Sequence, residues 1–489
     1  MNKILFSHSY FLRFDPKQWD LGQPYAPLGT IYAASLMRKN GYEVSLFDTM
    51  FSSSAVEVIP ALDQYHPDLF VVYDDGFNYL TKMCLTNMRE AAFEMFRLAR
   101  ERGCTVIVSS SDSTDRYKDY LSAGADFVLI GEAEMTLLEL ANALKQGTNS
   151  FDTIEGIAFI GEDGSIKKTQ GRPVLKDLDQ LPLPAWDLVD IEPYRQSWLK
   201  SKGYFSMNMG TTRGCPFKCN WCAKPIYGSR YNSRSPENVI AELEYLKQHY
   251  QPDHIWFCDD IFGLKPGWVH RFAELVEQEN LQFKYKIQSR ADLLLQDDQI
   301  EALATSGCDN VWIGAESGSQ KILDAMDKGT TTDQIREATR LLKKHHIKPS
   351  FFIQFGYLGE TKDDIELTIK MIGELLPYEI GISVSYPLPG TVFYQKVQAE
   401  LKRKTNWTDS DEMAMMYKST YPPAFYKQLP RYVHQNYHQH LAKDSLLKLI
   451  KNPLKATYNI FKKSLSILYY TPLALIEKYK LQRTERVTA

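Results

Sequence analysis

The sequence predicts an α/β protein made of a doubly wound sheet, a second run of strand and helix units, and a mainly helical C-terminal region. Three observations carry this. Short apolar runs alternate with longer amphipathic ones through residues 1–150, the pattern of parallel strands joined by helical crossovers. A stretch holding Pro182, Pro184 and Pro193 breaks the alternation and discourages regular structure. The alternation resumes near Tyr204 and stops after Gln395. At 489 residues the chain exceeds one ordinary core and implies two or three domains. Residues 1–150 are read as the first domain, 151–200 as a hairpin and linker, 201–400 as the second domain and 401–489 as the helical region. Hydrophobic content of 44% with 24% charged residues describes a folded, soluble chain. The net charge of -3 carries no nucleic-acid signature.

In the first domain, strands are expected at Ile4–Ser7, Glu43–Phe47, Leu69–Tyr73, Thr105–Val108 and Phe127–Ile130. Helices are expected at Leu28–Lys39, Val56–Tyr65, Thr86–Arg102, Tyr117–Ser122 and Thr136–Lys145. Ligands of such a sheet sit beyond the carboxyl ends of its strands. There is no GxGxxG after the first strand and no GxxxxGK[ST], which disfavours a dinucleotide or P-loop site. The strand ends instead carry Ser7-His8-Ser9, Asp48, Tyr73-Asp74-Asp75-Gly76, Ser109-Ser110-Ser111-Asp112 and Gly131-Glu132-Ala133-Glu134. These either cradle a broad polar ligand or serve as turn and cap residues. Ile154–Ile160 and Ile166–Thr169 flank a Gly161-Glu162-Asp163-Gly164 turn and read as a hairpin at the sheet edge.

The N-terminal segment lacks the features of a secretory signal, so export is not expected. The longest uncharged apolar stretch, Ser464–Ile476, has 13 residues, short of the roughly 20 that cross a bilayer. Seven cysteines, an odd number, argue against a disulfide scaffold and for a reducing cytoplasm.

Three of those cysteines, Cys215, Cys219 and Cys222, lie within eight residues behind an apolar strand. Soft thiolates in such a run select iron–sulfur or zinc. A structural zinc site takes four protein ligands, and the nearest other cysteines in sequence are Cys104 and Cys258. Three thiolates on a four-iron cubane leave one iron open to a molecule offering an amine and a carboxylate. Gly214 and Pro216 shape a tight loop, with Trp221 as apolar cover.

The CxxxCxxC of Cys215, Cys219 and Cys222 resembles the signature of the radical S-adenosylmethionine superfamily. From about Tyr204 to Tyr394 the resemblance extends to the cobalamin-dependent members, the group of anaerobic magnesium-protoporphyrin cyclase, hopanoid methylases and antibiotic methylases. It implies a partial (β/α)6 TIM barrel, a [4Fe-4S] cluster on the three cysteines, S-adenosylmethionine as co-substrate, and an electron donor such as flavodoxin or ferredoxin. Candidate barrel strands are Phe205–Met209, Ile255–Cys258, Phe283–Gln288, Asn310–Gly314, Ser350–Phe355 and Ile380–Ser385. Helices are expected at Pro236–Gln248, Gly267–Glu279, Asp297–Thr305, Thr332–Lys344 and Lys362–Leu375. By the resemblance, Asp259 and Asp260 receive the adenosylmethionine amine or hold the cluster loop, with helix capping as the alternative. Ser289 and Arg290 form a polar turn whose guanidinium pairs with the methionine carboxylate or makes a surface ion pair with Asp292. Glu316 accepts the ribose hydroxyls or caps the helix from Gln320. Gly356, Gly359 and Pro389 let adenine rest on main chain or serve as turn residues.

The first domain then resembles the cobalamin-binding domain of the same enzymes, through Tyr25, Leu28 and Gly29 and through Gly131, Glu132, Glu134 and Thr136. Where the family has a Gly-Gly-x-His turn, this chain has Ser109, Ser110, Ser111 and Asp112, and it has no DxHxxG. Cobalamin is therefore expected without a histidine lower ligand, or the domain no longer binds it.

Past Gln395, methionines and aromatics from Trp407 to Tyr417 cover the barrel mouth or pack as core,. A helix is expected at Tyr426–Leu449, with His434, His438 and His440 on the surface and no metal role. From Arg431 to Ala489 eleven Lys or Arg stand against three Asp or Glu, so this tail rests on an anionic membrane or is a solvated face docked on the acidic body of the chain. The expected reaction is methylation of an unactivated carbon, in a small molecule or lipid, after hydrogen abstraction by a 5′-deoxyadenosyl radical. Radical cyclisation, ring contraction or rearrangement, and a non-catalytic metal-binding protein, are the alternatives. No catalytic residue is assigned from sequence. The expected location is the cytoplasm, peripheral to the membrane's inner face if the tail binds lipid.

Overall fold

A computed structural model of the chain describes residues 2–77, 79–83, 85–222, 226–401, 404–451, 453 and 457–485. Cys84, and Lys455 and Arg486 of the basic tail, lie outside these. The chain forms two compact units, the first of residues 1–216, 223–287 and 406–412, the second of 217–222, 288–405 and 413–489.

The first unit opens with seven strands, β1 (Lys3–Ser7), β2 (Glu43–Phe47), β3 (Leu69–Tyr73), β4 (Thr105–Ser109), β5 (Phe127–Leu129), β6 (Ile157–Ile160) and β7 (Ile166–Lys168). They form one sheet in the order β2-β1-β3-β4-β5-β6-β7. The first five run parallel and the hairpin β6-β7 extends the edge antiparallel. Strand order reverses at β1, the switch point where such sheets bind ligands.

Period-two alternation explains why these strands read as unbroken apolar runs. Phe70 and Val72 of β3 join Leu5, Val106 and Val108 under the helix Thr86–Arg100. Leu69, Val71 and Tyr73 turn the other way, to Ile4, Phe6, Ile107 and the helices Leu28–Lys39 and Glu134–Lys145. With both faces covered, each large apolar side chain contributes roughly 1.5–3 kcal/mol.

Two local features differ from expectation. The serine run after β4 forms a short helix, Ser111–Asp115, closed by a capping box between Ser110 and Ser113. In the proline-rich stretch a regular helix forms at Ile191–Lys202. Pro193 sits in its first turn, where the missing N–H has no intrahelical partner to lose, and Asp190 accepts the Glu192 N–H at 3.2 Å.

The first unit continues with β8 (Ser206–Met209), the short antiparallel pair β9 (Thr212–Arg213) and β10 (Asn232–Ser233), then β11 (His254–Phe257) and β12 (Lys284–Ser289). β8, β11 and β12 pair in parallel, with helices Pro236–His249 and Trp268–Gln278 between them. The second unit holds β13 (Cys308–Glu316), β14 (Lys348–Phe355) and β15 (Ile380–Val384), also parallel. The last residues of β12 belong to this unit, and the six parallel strands follow the order β15-β14-β13-β12-β11-β8.

Helices Thr332–Lys344 and Lys362–Leu375 have the expected bounds. The first begins with a Thr331–Gln334 capping box and buries Ile335, Ala338, Thr339 and Leu342, spacings of three and four that put one stripe against the sheet. Beyond β15 the chain is helical, with Pro423–Lys451, Tyr458–Leu465 and Ile467–Glu485.

Candidate active site

In the first unit, β8 delivers the chain into Gly210-Thr211-Thr212-Arg213-Gly214-Cys215. Asp259, just past β11 and buried, holds this entrance. Its carboxylate accepts the N–H of Thr211 at 2.7 Å and of Thr212 at 2.9 Å, and the Thr211 hydroxyl. Burial still drives its pKa up to about 7 against these donors. Of the two ligand roles expected for Asp259, the contacts are those of the loop holder. Asp260 instead pairs with Lys82 at 2.6 Å. Gly214 has φ 78°, and a Cβ there would lie 2.2 Å from the Arg230 carbonyl oxygen, so only glycine fits before Cys215. Cys258 is core: its thiol donates to the Met209 carbonyl at 3.0 Å, and burial pushes its pKa well up.

The strand ends of the first sheet are small or paired within the protein. Ser9 gives its N–H and hydroxyl to Asp74 at 2.7 and 2.8 Å, and the Gly29 N–H reaches Asp75 at 3.1 Å. Ser109 gives its carbonyl to the Asp74 N–H at 2.8 Å, and Ser110 is spent in its capping box. His8 is buried and held by Asp48 at 2.8 Å. Glu132 and Glu134 grip the buried guanidinium of Arg213, which the rings of Tyr32, Phe77 and Tyr227 surround at 5.8, 5.7 and 5.1 Å. Thr136 donates to the Glu155 carbonyl and accepts from Arg172. Leu28 is fully buried. Tyr25 packs between Trp198 and Trp256, with the Lys286 ammonium 5.3 Å from its ring. Gly131 has φ 76°. The imidazole at these ends, His8, is already bonded to Asp48.

In the second unit, residues 217–222 form a loop tied down by Asn220. Its N–H reaches the Met326 carbonyl at 3.0 Å, its carbonyl accepts the Phe393 N–H at 2.9 Å, and its side chain meets Ala325, Asp327 and Tyr357. The Cys222 N–H bonds the Cys219 carbonyl at 3.3 Å. Arg290 lies against Phe217, its guanidinium carbon 3.7 Å from the ring centre. It forks onto Asp292 at 2.9 and 3.0 Å and reaches the Cys219 sulfur at 3.8 Å. The Arg290–Asp292 pair expected as a surface contact is thus real but has a buried arginine.

β13 breaks register between Gly314 and Glu316, and Glu316 has φ 57°. The bulge re-aims its carboxylate, which Lys328 meets at 2.9 Å with both groups buried. The helix cap beyond is Ser319, not Glu316. Burial works against the charge of Lys328, but Glu316 and the Cys219 sulfur outweigh it and raise its pKa. Gly314 clears the space, since a Cβ there would sit 2.6 Å from the lysine nitrogen. In the same unit, Ser289 Oγ, Trp221 Nε1 and Thr330 Oγ1 are buried without a hydrogen-bond partner among the described residues, a cost of about 1–3 kcal/mol each unless a ligand supplies partners; the Lys328 nitrogen lies 6.0 Å from the Trp221 ring. Lys328 and Thr330 escape a reading of the sequence, where Lys328-Gly329-Thr330 looks like a solvated turn.

Gly356 and Gly359 have φ 82° and 78°. The Gly356 N–H donates to Glu360 at 2.6 Å, and its carbonyl accepts from Tyr417. Pro389 lies half-buried in the turn after β15. Met415 and Tyr417 pack with Ile322, Met326, Tyr357 and Phe393, so these tail residues are core over the end of β14. His438 and His440 are half-buried and not on the surface: His438 stacks on Tyr470 at 4.9 Å, and His440 abuts Gly373. Burial lowers the pKa of both.

Burial drives Glu360 from 4.5 up to about 8. The unfolded chain releases this proton near pH 4.5 while the native state keeps it to about 8, so its contribution to stability falls as pH rises across that window. Urea unfolding at several pH values is expected to show this loss in wild type and a flatter profile in Glu360→Gln.

Cys215 belongs to the first unit and Cys219 and Cys222 to the second. All six described cysteines are thiols, not disulfides. Among the described residues, no group of three His, Cys, Asp or Glu is drawn together as a metal site.

The Radical SAM superfamily pattern matches residues 209–372, from the end of β8 into the helix Lys362–Leu375. The cysteine loop and most of the parallel strand–helix repeat fall within this match, so residues 209–372 are similar to the radical SAM superfamily. The chain is similar to anaerobic magnesium-protoporphyrin IX monomethyl ester cyclases and to methylases. An uncharacterized methyltransferase of Pyrococcus horikoshii is 28% identical over 396 residues, covering 79% of this chain and 82% of that protein. The hopanoid C-3 methylase of Methylococcus capsulatus is 24% identical over 449 residues, covering 89% and 82%. Among solved structures, the cobalamin-dependent S-adenosylmethionine radical enzyme OxsB with aqua-cobalamin and S-adenosylmethionine bound matches with a TM-score of 0.73 at 17% identity, covering 98% of this chain and 72% of its own. This likeness shows the fold: a Rossmann-like N-terminal domain, a partial barrel and a mainly helical C-terminal region.

Proposed function

We propose that this protein is a C-methyltransferase that uses S-adenosylmethionine and cobalamin to methylate an unactivated carbon of a small molecule or lipid. When bound, a [4Fe-4S] cluster on Cys215, Cys219 and Cys222 would supply the electron that cleaves S-adenosylmethionine, and cobalamin would supply the methyl group.

The observation that carries the reading is the buried set around Cys219. Glu316 and Lys328 are fixed as an ion pair, and Arg290 is stacked and forked in place. Ser289, Trp221 and Thr330 hold polar atoms that nothing among the described residues satisfies. A zwitterionic nucleoside suits this set, with a carboxylate for Arg290, hydroxyls for Glu316 and acceptors for the unpaired donors. Lys328 holds Glu316 in place at 2.9 Å, so the carboxylate accepts without rearranging. Phe217 seats the guanidinium of Arg290 beside the sulfur of Cys219. Cobalamin would lie at the carboxyl ends of the parallel strands of the first sheet, where Gly131 past β5 holds a left-handed backbone,. The methyltransferase names of several relatives favour methyl transfer over cyclisation.

The test is anaerobic reconstitution with iron, sulfide and methylcobalamin, followed by S-adenosylmethionine and a reductant, either dithionite or flavodoxin. Deoxyadenosine release and a product heavier by one methyl group are expected. Deoxyadenosine with an unmethylated, altered product assigns a radical cyclase or rearrangement enzyme. Absence of any S-adenosylmethionine cleavage leaves a non-catalytic metal protein.

A further inference from the structure

The helix Ile467–Glu485 is apolar on both faces. Its inner face, with buried Ala474 and Leu481, packs on the helix Pro423–Lys451 through the Tyr470–His438 stack and the Gln439–Thr471 hydrogen bond. Its outer face carries Leu468, Leu475 and Tyr479, exposed at 77%, 63% and 62%. Their spacings of seven and four residues put them on one stripe, with exposed Tyr469 and Ile476 beside it. Phe461 and Leu465, on the preceding helix, are also exposed, at 49% and 52%. Exposed apolar runs of this kind mark an interaction surface.

Charge selects the partner. The tail has an excess of eight positive side chains in a chain whose net charge is -3. Its three acids are all engaged. Asp444 pairs with Lys448, Glu477 with Lys480 and Gln428, and Glu485 with Lys362. Exposed Lys462 and Lys463 stand between Phe461 and Leu465, and the Arg483 guanidinium lies 6.0 Å from the Tyr479 ring. Leucines flanked by tyrosines and unopposed cations match the boundary between acyl chains and anionic headgroups. A protein partner of opposite charge offers the cations a home but not the leucine stripe. Among the described residues no helix is long and apolar enough to cross a membrane, so contact would be in plane.

We propose that this outer face, from Phe461 to Tyr479, binds the surface of an anionic lipid bilayer. The full-length protein is mixed with vesicles of phosphatidylcholine, with or without phosphatidylglycerol, and sedimented. Expected is pelleting with the anionic vesicles that weakens as salt is raised, and a loss of roughly tenfold or more in L468E/L475E. Both leucines are exposed, so this variant should match wild type in circular dichroism and melting temperature. The K462E/K463E variant should lose anionic preference while keeping its fold. Equal pelleting of wild type and variants, or none with either lipid, overturns the proposal. So does a wild-type dimer in light scattering that L468E/L475E converts to monomer, which would assign the face to a second copy of the chain.

Discussion

Replacing Gly214 with alanine is expected to abolish iron and sulfide incorporation while leaving most of the fold in place. Two penalties coincide. At φ 78° an L-residue with a Cβ costs about 1–2 kcal/mol, and that Cβ would lie 2.2 Å from the Arg230 carbonyl oxygen, with the carbonyls of Tyr227 and Gly228 at 3.2 Å. Backbone on both sides leaves no flexible side chain to yield. The chain must move where Cys215 leaves the β9–β10 pair, by the order of an ångström, a displacement that costs roughly a hundredfold in rate at a reacting centre. Gly228→Ala is the matched control. Gly228 also has positive φ, at 67°, but a Cβ there meets nothing within 4 Å. Iron and sulfide assays after reconstitution, with circular dichroism, should find G228A loaded and G214A empty but folded. A loaded G214A would show that the loop tolerates the shift.

Lys328→Met should damage both stability and co-substrate binding. Removing one partner of a buried ion pair strands the other charge, at about 3–5 kcal/mol, and Glu316 has no route to solvent from its buried position. The double variant Lys328→Met/Glu316→Gln removes both charges and should regain most of the lost stability,. Affinity for S-adenosylmethionine should stay low in both, because the double variant lacks the ionised carboxylate as well. Urea unfolding and calorimetric titration of the reconstituted protein separate the two effects. Equal affinity in wild type and double variant would assign the pair a purely structural role.

The legible parts of the sequence were those with a single local period. Leu69–Tyr73, Tyr117–Ser122, Thr332–Lys344 and Lys362–Leu375 carry their bounds in hydrophobic spacing and caps. The cysteine triplet needed only its spacing. Ile191–Lys202 was hidden because proline content signals a break, whereas Pro193 falls in the one turn that tolerates it. Ile467–Glu485 was hidden because apolar residues on both faces erase the one-sided stripe by which helices are read,. Lys328 was hidden for a different reason. Its burial is created by Gly314 and by a bulge in β13, both distant in sequence, and an isolated lysine in a turn carries no trace of either. The reverse error arises at Glu132 and Glu134, which look like ligands at a strand end until Arg213, some eighty residues away, claims both.

The grip of Asp259 on two successive amides and a hydroxyl of the chain entering the cysteine loop is supplied by protein alone. In a protein loaded with the proposed cluster, loss of the iron would therefore leave this entrance held. Repair then becomes a matter of delivering fresh metal and sulfide to an intact polypeptide, without chaperoned refolding or new synthesis.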